Sequence, residues 1–269
     1  MTLAMALLVL ALGGQTAQAN PQTDQRLEDS RLVFESFTFL TEQSIPGWLL
    51  ERAYGIVVVP RVIKGALGIG GRGGRGVMAV RNPDGTWSNP VFVTLAGVNI
   101  GFQIGVQSTD VVLVLMSRMS VEGIAGGKVT LGADASVAAG PMGRSATAAT
   151  DATLKAQVLS YSRNEGIFAG VALDGTVISV DNSSNVSAYG VSDILPSQIL
   201  GGSPSMAPAA AQAFTASLNK ATSGAAAPSP AAAPAETAPP PADPAEPGPA
   251  DGATTYPMED PEPGAPPPT

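Results

Sequence analysis

From Gly97 to Gln107 the chain reads GVNIGFQIGVQ, with a large apolar residue at every even position and Gly, Asn or Gln at every odd one. A period of two over that length predicts a β-strand. One face is expected to fill a core and the other to be nearly bare backbone. Upstream the period is helical. Val33, Phe34, Phe37 and Leu40 recur at helix spacing within Gln25–Leu40, with Asp24 as the expected N-cap and Glu28 and Asp29 near the positive end. Ser44-Ile45-Pro46 reads as the cap and first turn of a second short helix, which Gly55 ends.

After Gly55 strands dominate. GIVVVP is a β-branched run, VMAVRNPDGTWSNPVFVTL reads as strand, Asp-Gly turn and strand, and DVVLVLM from Asp110 reads as a buried strand. A short helix or turn is expected over Met119–Ala125, with strands at Lys128–Leu131 and Ala156–Ser162. IFAGVALDGTVISV is expected to form a hairpin turning at Asp174-Gly175, and Ser192–Leu200 a short closing helix. Many antiparallel strands with helices at the two ends, and no βαβ alternation, make an α+β fold. The expected architecture is a strongly curved antiparallel β-sheet or barrel with N-terminal helices, a short closing helix and a disordered C-terminal tail.

The stretch KGALGIGGRGGRGVMAV, Lys64 to Val80, contains GxGxxG twice in overlapping frames. A dinucleotide-binding loop needs a helix after the glycines, because the pyrophosphate sits on its N-terminus. Here a strand and a hairpin turn follow, and GxxxxGK[ST] is absent. The glycines are therefore assigned to structure. Gly68, Gly70, Gly73 and Gly76, with Gly101 and Gly105, mark bends or close approaches of backbone in a curled sheet.

Composition divides the 269 residues into three parts. An apolar run from Leu3 to Leu12 followed by Ala17-Gln18-Ala19 reads as a cleaved secretory signal over residues 1–19, or otherwise an N-terminal anchor, although no Lys or Arg precedes Arg26. Residues 20–202 form the expected domain. Residues 203–269 hold 17 of the 24 prolines and are expected to be a disordered Pro/Ala-rich acidic tail. That tail has seven acids and one base, a net of −6 of the total −8, so the domain itself is near neutral. His and Cys are both absent, which removes His-based triads, thiol nucleophiles and Cys/His zinc sites.

Positive charge is concentrated locally. Arg61, Lys64, Arg72, Arg75 and Arg81 lie in a span with no acid between Glu51 and Asp84. Arg61, Lys64, Arg72 and Arg75 are candidate ligands for an anionic phospholipid headgroup; an ordinary solvated strand surface is the competing assignment. A basic groove for nucleic acid is not expected, since no aromatic residues interleave the glycine run and the net charge is negative. Ser160-Tyr161-Ser162-Arg163 with Asp151 and Glu165 has no spacing with a mechanism behind it. Asp181–Asn185 lacks the Gly and Glu of a calcium loop and reads as a polar turn. Trp87 is expected in the core or at a barrel rim.

Several motifs in order, GRGGRG, DGTWSNP, GFQIGVQSTD, LGADASVAAGP and YSRNEGIFAGV, resemble the SYLF domain family over about residues 30 to 202. The resemblance implies a lipid-binding module, related to that of eukaryotic actin-patch proteins, with no catalysis and no cofactor. In eukaryotic members a basic N-terminal helix contributes to lipid binding. Here Asp24, Glu28, Asp29 and Glu35 outnumber Arg26 and Arg31. Actin is therefore not an expected partner, and membrane contact by this helix would run through Val33, Phe34, Phe37 and Leu40. The alternative for those four is a helix packed on the sheet. The expected function is association of an exported, periplasmic or envelope protein with anionic phospholipid membranes. The alternative is an envelope interaction module without lipid, tethered by its tail.

Overall fold

Two strands carry the fold. β1 (Gly55–Val80) and β2 (Val91–Leu115) are 26 and 25 residues long and pair antiparallel from Gly55 opposite Leu115 to Met78 opposite Val91. GIVVVP, the glycine run and VMAV are thus one strand, and the alternating stretch continues directly into DVVLVL. The computed structural model describes residues 20–39, 44–141, 155–164, 167–170, 173–203 and 206–223, with the backbone alone for 66–69, 99–105 and 167–170. The expected signal segment, Leu40 and the chain beyond 223 lie outside the described residues. All described residues fall in one compact unit.

A straight ribbon of this length would reach about 80 Å. Instead it arches. Register shifts interrupt the pairing between Val59 and Val62 and between Ala66 and Gly68. Beyond them the second half of β1 lies against the first. A Cβ on Gly76 would sit 2.0 Å from the Val58 carbonyl oxygen, and one on Gly74 would sit 2.7 Å from Val59 Cγ1 and 2.9 Å from Val62 Cγ2. The arch closes at its base because those two positions have no side chain.

The remaining strands extend the two feet of the ribbon. β5 (Val158–Asn164) pairs antiparallel with Asp110–Leu115 of β2, and β7 (Thr176–Val180) pairs antiparallel with Val93–Gly97. β3 (Lys128–Thr130) joins β7, β4 (Val137–Ala139) runs parallel to β5, and β6 (Ile167–Gly170) pairs with β5. The expected β6–β7 hairpin is not seen among the described residues, where β6 pairs with β5 and β7 with β2 and β3. The Asp174-Gly175 turn exists, with Gly175 at φ 70°. Its backbone bonds, however, tie it to Leu131: Gly175 N donates to Leu131 O at 2.9 Å and Leu131 N to Thr176 O at 2.8 Å.

Helices cover the two faces of this curved α+β sheet. On one face, α1 (Pro21–Thr38), α2 (Gly47–Arg52) and α6 (Ala209–Ala221) pack against Ile56, Val58, Phe92, Val112 and Tyr161. On the other, α3 (Arg118–Ala125) covers Val57, Val59, Met78, Val93 and Leu113. Two short helices complete the fold, α4 (Asn182–Tyr189) and α5 (Pro196–Leu200).

The cap of α1 is Asn20, whose side chain accepts from Gln22 N, because Pro21 suits the first helical position and starts the helix before Asp24. Val33, Phe34 and Phe37 are 6%, 0% and 0% exposed, so they are core positions and not a membrane-contact face. Conversely Val98 and Val106 are 74% and 77% exposed, so the apolar face of the alternating stretch is outside the core at both described ends. Arg81 is buried, stacked 4.9 Å above Trp87 and donating to Leu50 O, and does not join the basic surface.

The domain also continues past 202. α6 lies inside the expected disordered tail, yet Ala211, Phe214 and Leu218 are fully buried at helix spacing. Trp87 Nε1 donates to Thr222 Oγ1 at 2.9 Å and Trp87 N to Asn219 Oδ1 at 3.2 Å, which fastens the DGTWSN turn onto this helix.

Gly76→Ala should cost about 3 kcal/mol, because the added Cβ meets backbone, which cannot swing aside. Gly73→Ala, whose Cβ meets nothing closer than 3.9 Å, should be neutral or slightly stabilising. Urea denaturation midpoints of the two variants measure the difference; equal midpoints would rule out the closed arch base.

Candidate functional site

Arg61 and Arg75 stand at the two feet of the arch, and its closure brings them together. Both line a cleft of about 440 Å³ whose other wall is α1, supplying Gln22, Gln25, Arg26 and Asp29. Those four positions follow one another at helix spacing on a single polar stripe, beside the stripe that buries Leu27, Phe34 and Phe37. Pro60 completes the lining.

The position of Arg61 is imposed by the backbone. It follows Pro60 where β1 carries one residue more than β2, and its φ is 47°. A residue with a side chain holds that left-handed conformation only when its surroundings fix it, and such positions cluster at functional sites. The anchor is Asp110 of β2. Its Oδ1 accepts from the Arg61 N–H at 3.0 Å, and its Oδ2 accepts from Arg163 at 2.7 Å. Arg61 then reaches across to α1 and pairs with Asp29.

Three guanidiniums face this cleft. Arg26 is mostly buried, pairs with Asp181 at 3.0 Å and stacks 5.3 Å over Phe92. Arg61 is 63% exposed on its side chain while paired to Asp29, so an incoming anion can compete for it with water present. Arg75 is exposed and makes no ion pair among the described residues. Counting Asp29 and Asp181 against the three arginines leaves one positive charge in excess. The two glutamine amides add neutral donors. The arrangement suits a phosphate-sized anion held by more than one guanidinium.

Asp181 fixes the inner side of the cleft. It caps α4 and accepts from Ser183, Ser184 and Arg26. Burial pushes its carboxyl up, but the hydrogen bonds from Ser184, Ser183 and Arg26 outweigh that and hold it at about 2. The polar run Asp181–Asn185 is therefore a helix start, with Asn185 Oδ1 accepting from Phe92 N at 2.9 Å.

The other candidate residues are dispersed. Lys64 is exposed and opposite Gln107, and Arg72 is half-buried and opposite Gly97, which places both on the face of the ribbon away from Arg75. Gly76 is at the closing contact. Gly73 is exposed, Gly70 is buried, and Gly68 and Gly101 are paired at the second register shift, with Gly105 opposite Ala66. Gln22, Gln25 and Arg26 were not anticipated, because nothing in the sequence links that helix stripe to a strand position about 35 residues on. Gly74 was also missed.

The serine–tyrosine stretch is structural. Ser160 Oγ donates to Ala138 O and Tyr161 Oη to Pro141 O, and burial pushes the Tyr161 hydroxyl up. Asp151 and Glu165 lie outside the described residues. Among the described residues no cluster of acids stands close enough to hold a metal ion.

Residues 96–221 match the family model described as Ysc84, Las17-binding protein actin regulator. The match ends on the last residue of α6. The chain is similar to Protein YSC84 of Saccharomyces cerevisiae, 39% identical over 175 residues, which is 64% of this chain and 37% of the relative. It is similar to an SH3 domain-containing protein of Schizosaccharomyces pombe, 39% identical over 185 residues, or 68% of this chain and 42% of the relative. The human SH3 domain-containing YSC84-like protein 1 is 35% identical over 163 residues, or 58% of this chain and 47% of that protein. The chain thus spans less than half the length of each of these three.

The Asp181 carboxyl gives a pH signature. Its folded value of about 2 lies below the ordinary 3.8, so its contribution of about 2 kcal/mol is present above pH 4 and lost as pH falls toward 2. Asp181→Asn should be less stable than the parent at pH 6 by about that amount, and the gap should close near pH 2. A gap unchanged between the two pH values, measured by urea denaturation, would contradict the assignment.

Proposed function

The chain carries a domain of the Ysc84/SYLF family, and on that premise we propose that it is a non-enzymatic protein that associates with anionic phospholipid membranes at the cell envelope. The observation that carries the proposal is the meeting of Arg26, Arg61 and Arg75 in one cleft. Guanidiniums are weakly hydrated, always charged and matched in shape to phosphate oxygens. A headgroup phosphate between Arg61 and Arg75 would take over from Asp29 on one side and supply the missing counter-charge on the other.

Export rests on the apolar run Leu3–Leu12 ahead of Ala17-Gln18-Ala19. The absence of His and Cys from the whole chain supports a role without catalysis. Actin, which appears in the family description, is not the proposed partner. Three acids of α1 are engaged within the domain, Glu28 and Glu35 with Arg31 and Asp29 with Arg61, and the helix presents no basic face.

Vesicle flotation tests the proposal. Arg61→Gln/Arg75→Gln should weaken binding to phosphatidylglycerol vesicles at low salt by about 30-fold, at about 1 kcal/mol for each basic side chain near the surface. Lys64→Gln, outside the cleft, should change it by less than that. Unaltered binding of the double variant, or equal binding of the parent to neutral vesicles, would refute the headgroup assignment.

A further inference from the structure

Beyond the cleft the arch carries a second feature. Ile63, Val98 and Val106 are 48%, 74% and 77% exposed. They lie on one face of the ribbon, the same face that α1 and α6 cover lower down. The register shows this: Gly65 is opposite Val106, Gly71 opposite Val98 and Gly73 opposite Ala96, and residues directly opposite share a face. The alternation along β2 connects these positions to Phe92 and Val112, which are in the helix-covered core. Gly71, Gly73 and Ala96 are exposed as well, and a Cβ on Gly65 would meet nothing within 4 Å. Between residues 63–73 of β1 and 96–108 of β2, Ser108, opposite Ile63, is the only polar side chain described on this face.

Single exposed valines are ordinary, but three β-branched residues on a two-stranded, otherwise bare face are not scattered. The face also points outward. Gly74 and Gly76 fold the ribbon toward its other side, where they meet Val58, Val59 and Val62, so the Ile63–Val98–Val106 face is the convex one. Residues 52–83 contain no acid, and residues 91–109 contain no charged residue at all. Arg61 and Arg75 stand where this face meets the cleft, Gly73 being one same-face step from Arg75 along β1.

We infer that the convex face of the β1–β2 arch inserts shallowly into the bilayer, with Ile63, Val98 and Val106 below the phosphates that Arg61 and Arg75 hold; this rests on the membrane association proposed above. Apolar side chains with cations at their margin match the interfacial zone of an anionic leaflet, which is apolar below and negative above. A second copy of the chain does not fit, because two such faces in register would bring the arginines at their margins together. The insertion is shallow because the ladder between β1 and β2 satisfies only one edge of each strand. Among the described residues β1 pairs with β2 alone, and burying the open edge in hydrocarbon would leave its amides without partners.

The chain has no cysteine, so Val98→Cys and Val106→Cys each give a single labelling site. An environment-sensitive dye at either position should shift to the blue on adding phosphatidylglycerol vesicles and become several-fold less quenchable by aqueous iodide. A dye at Asp84→Cys, in the exposed hairpin turn, should not. Val98→Asp/Val106→Asp should bind the same vesicles at least about tenfold more weakly at high salt, with an unchanged thermal transition. Flotation of the labelled proteins is read in parallel. If they float and the dyes at 98 and 106 stay as quenchable as in solution, the insertion is overturned and headgroup docking stands. If they do not float, the membrane association fails and the insertion falls with it. A blue shift on raising protein concentration without vesicles would mean that copies pair through this face, which also overturns it.

Discussion

The contact of Gly74 and Gly76 with Val58, Val59 and Val62 is the constraint on which the rest of this molecule depends. A ribbon of two strands, each about 25 residues long, has no reason to return to itself unless backbone can lie on backbone. Once it does, its lower part becomes the central layer of a domain with helices on both faces. Among the described residues its upper part is left as an arch without cover. The same closure brings residues 61 and 75 of one strand into one cleft. Site and fold therefore share a cause, and a side chain at position 76 would disturb both.

The polar groups around the arch base act as a chain of supports. Asp110 holds the strained Arg61 backbone and is itself held by Arg163. Asp181 starts α4 and holds Arg26, and Arg26 lies over Phe92 in the core below. Of the three guanidiniums at the cleft, Arg26 and Arg61 are thus each held by less exposed acids, and Arg75 is not. The cations on β1 serve the fold as well. Among the described residues one edge of this 26-residue strand is open, which invites pairing with other chains, and charges and proline along it discourage that. Lys64 and Arg72, away from the cleft, fit this protective role.

The fold class was legible because its signals are local. The switch from helical period to period two after residue 55, and the Asp-Gly turn before Trp87, mark the α+β order directly. What was not legible depends on distant contacts. The Asp174-Gly175 turn looks like a hairpin, but Leu131 competes for its backbone and sends β6 and β7 to different partners. The helix at Ala209–Ala221 was hidden by the proline-rich composition around it, although Phe214 and Leu218 carry the helix spacing of a buried face. The apolar stripe of α1 has the same period whether it meets a sheet or a membrane, and only the packing decides for the sheet. Of the site, Arg61 and Arg75 were visible as charge in a glycine run. Arg26, Gln22 and Gln25 were invisible, since only the curl of the ribbon brings that helix to them.

Hydrogen–deuterium exchange with and without phosphatidylglycerol vesicles reports on the backbone of the arch and of its supports together. Docking of the cleft and the convex face on the membrane should give new protection in the first two turns of α1, in residues 60–76 and in residues 96–108, with α6 and the DGTWSN turn unchanged. Protection confined to α6 and that turn, or spread evenly over the domain, would contradict it.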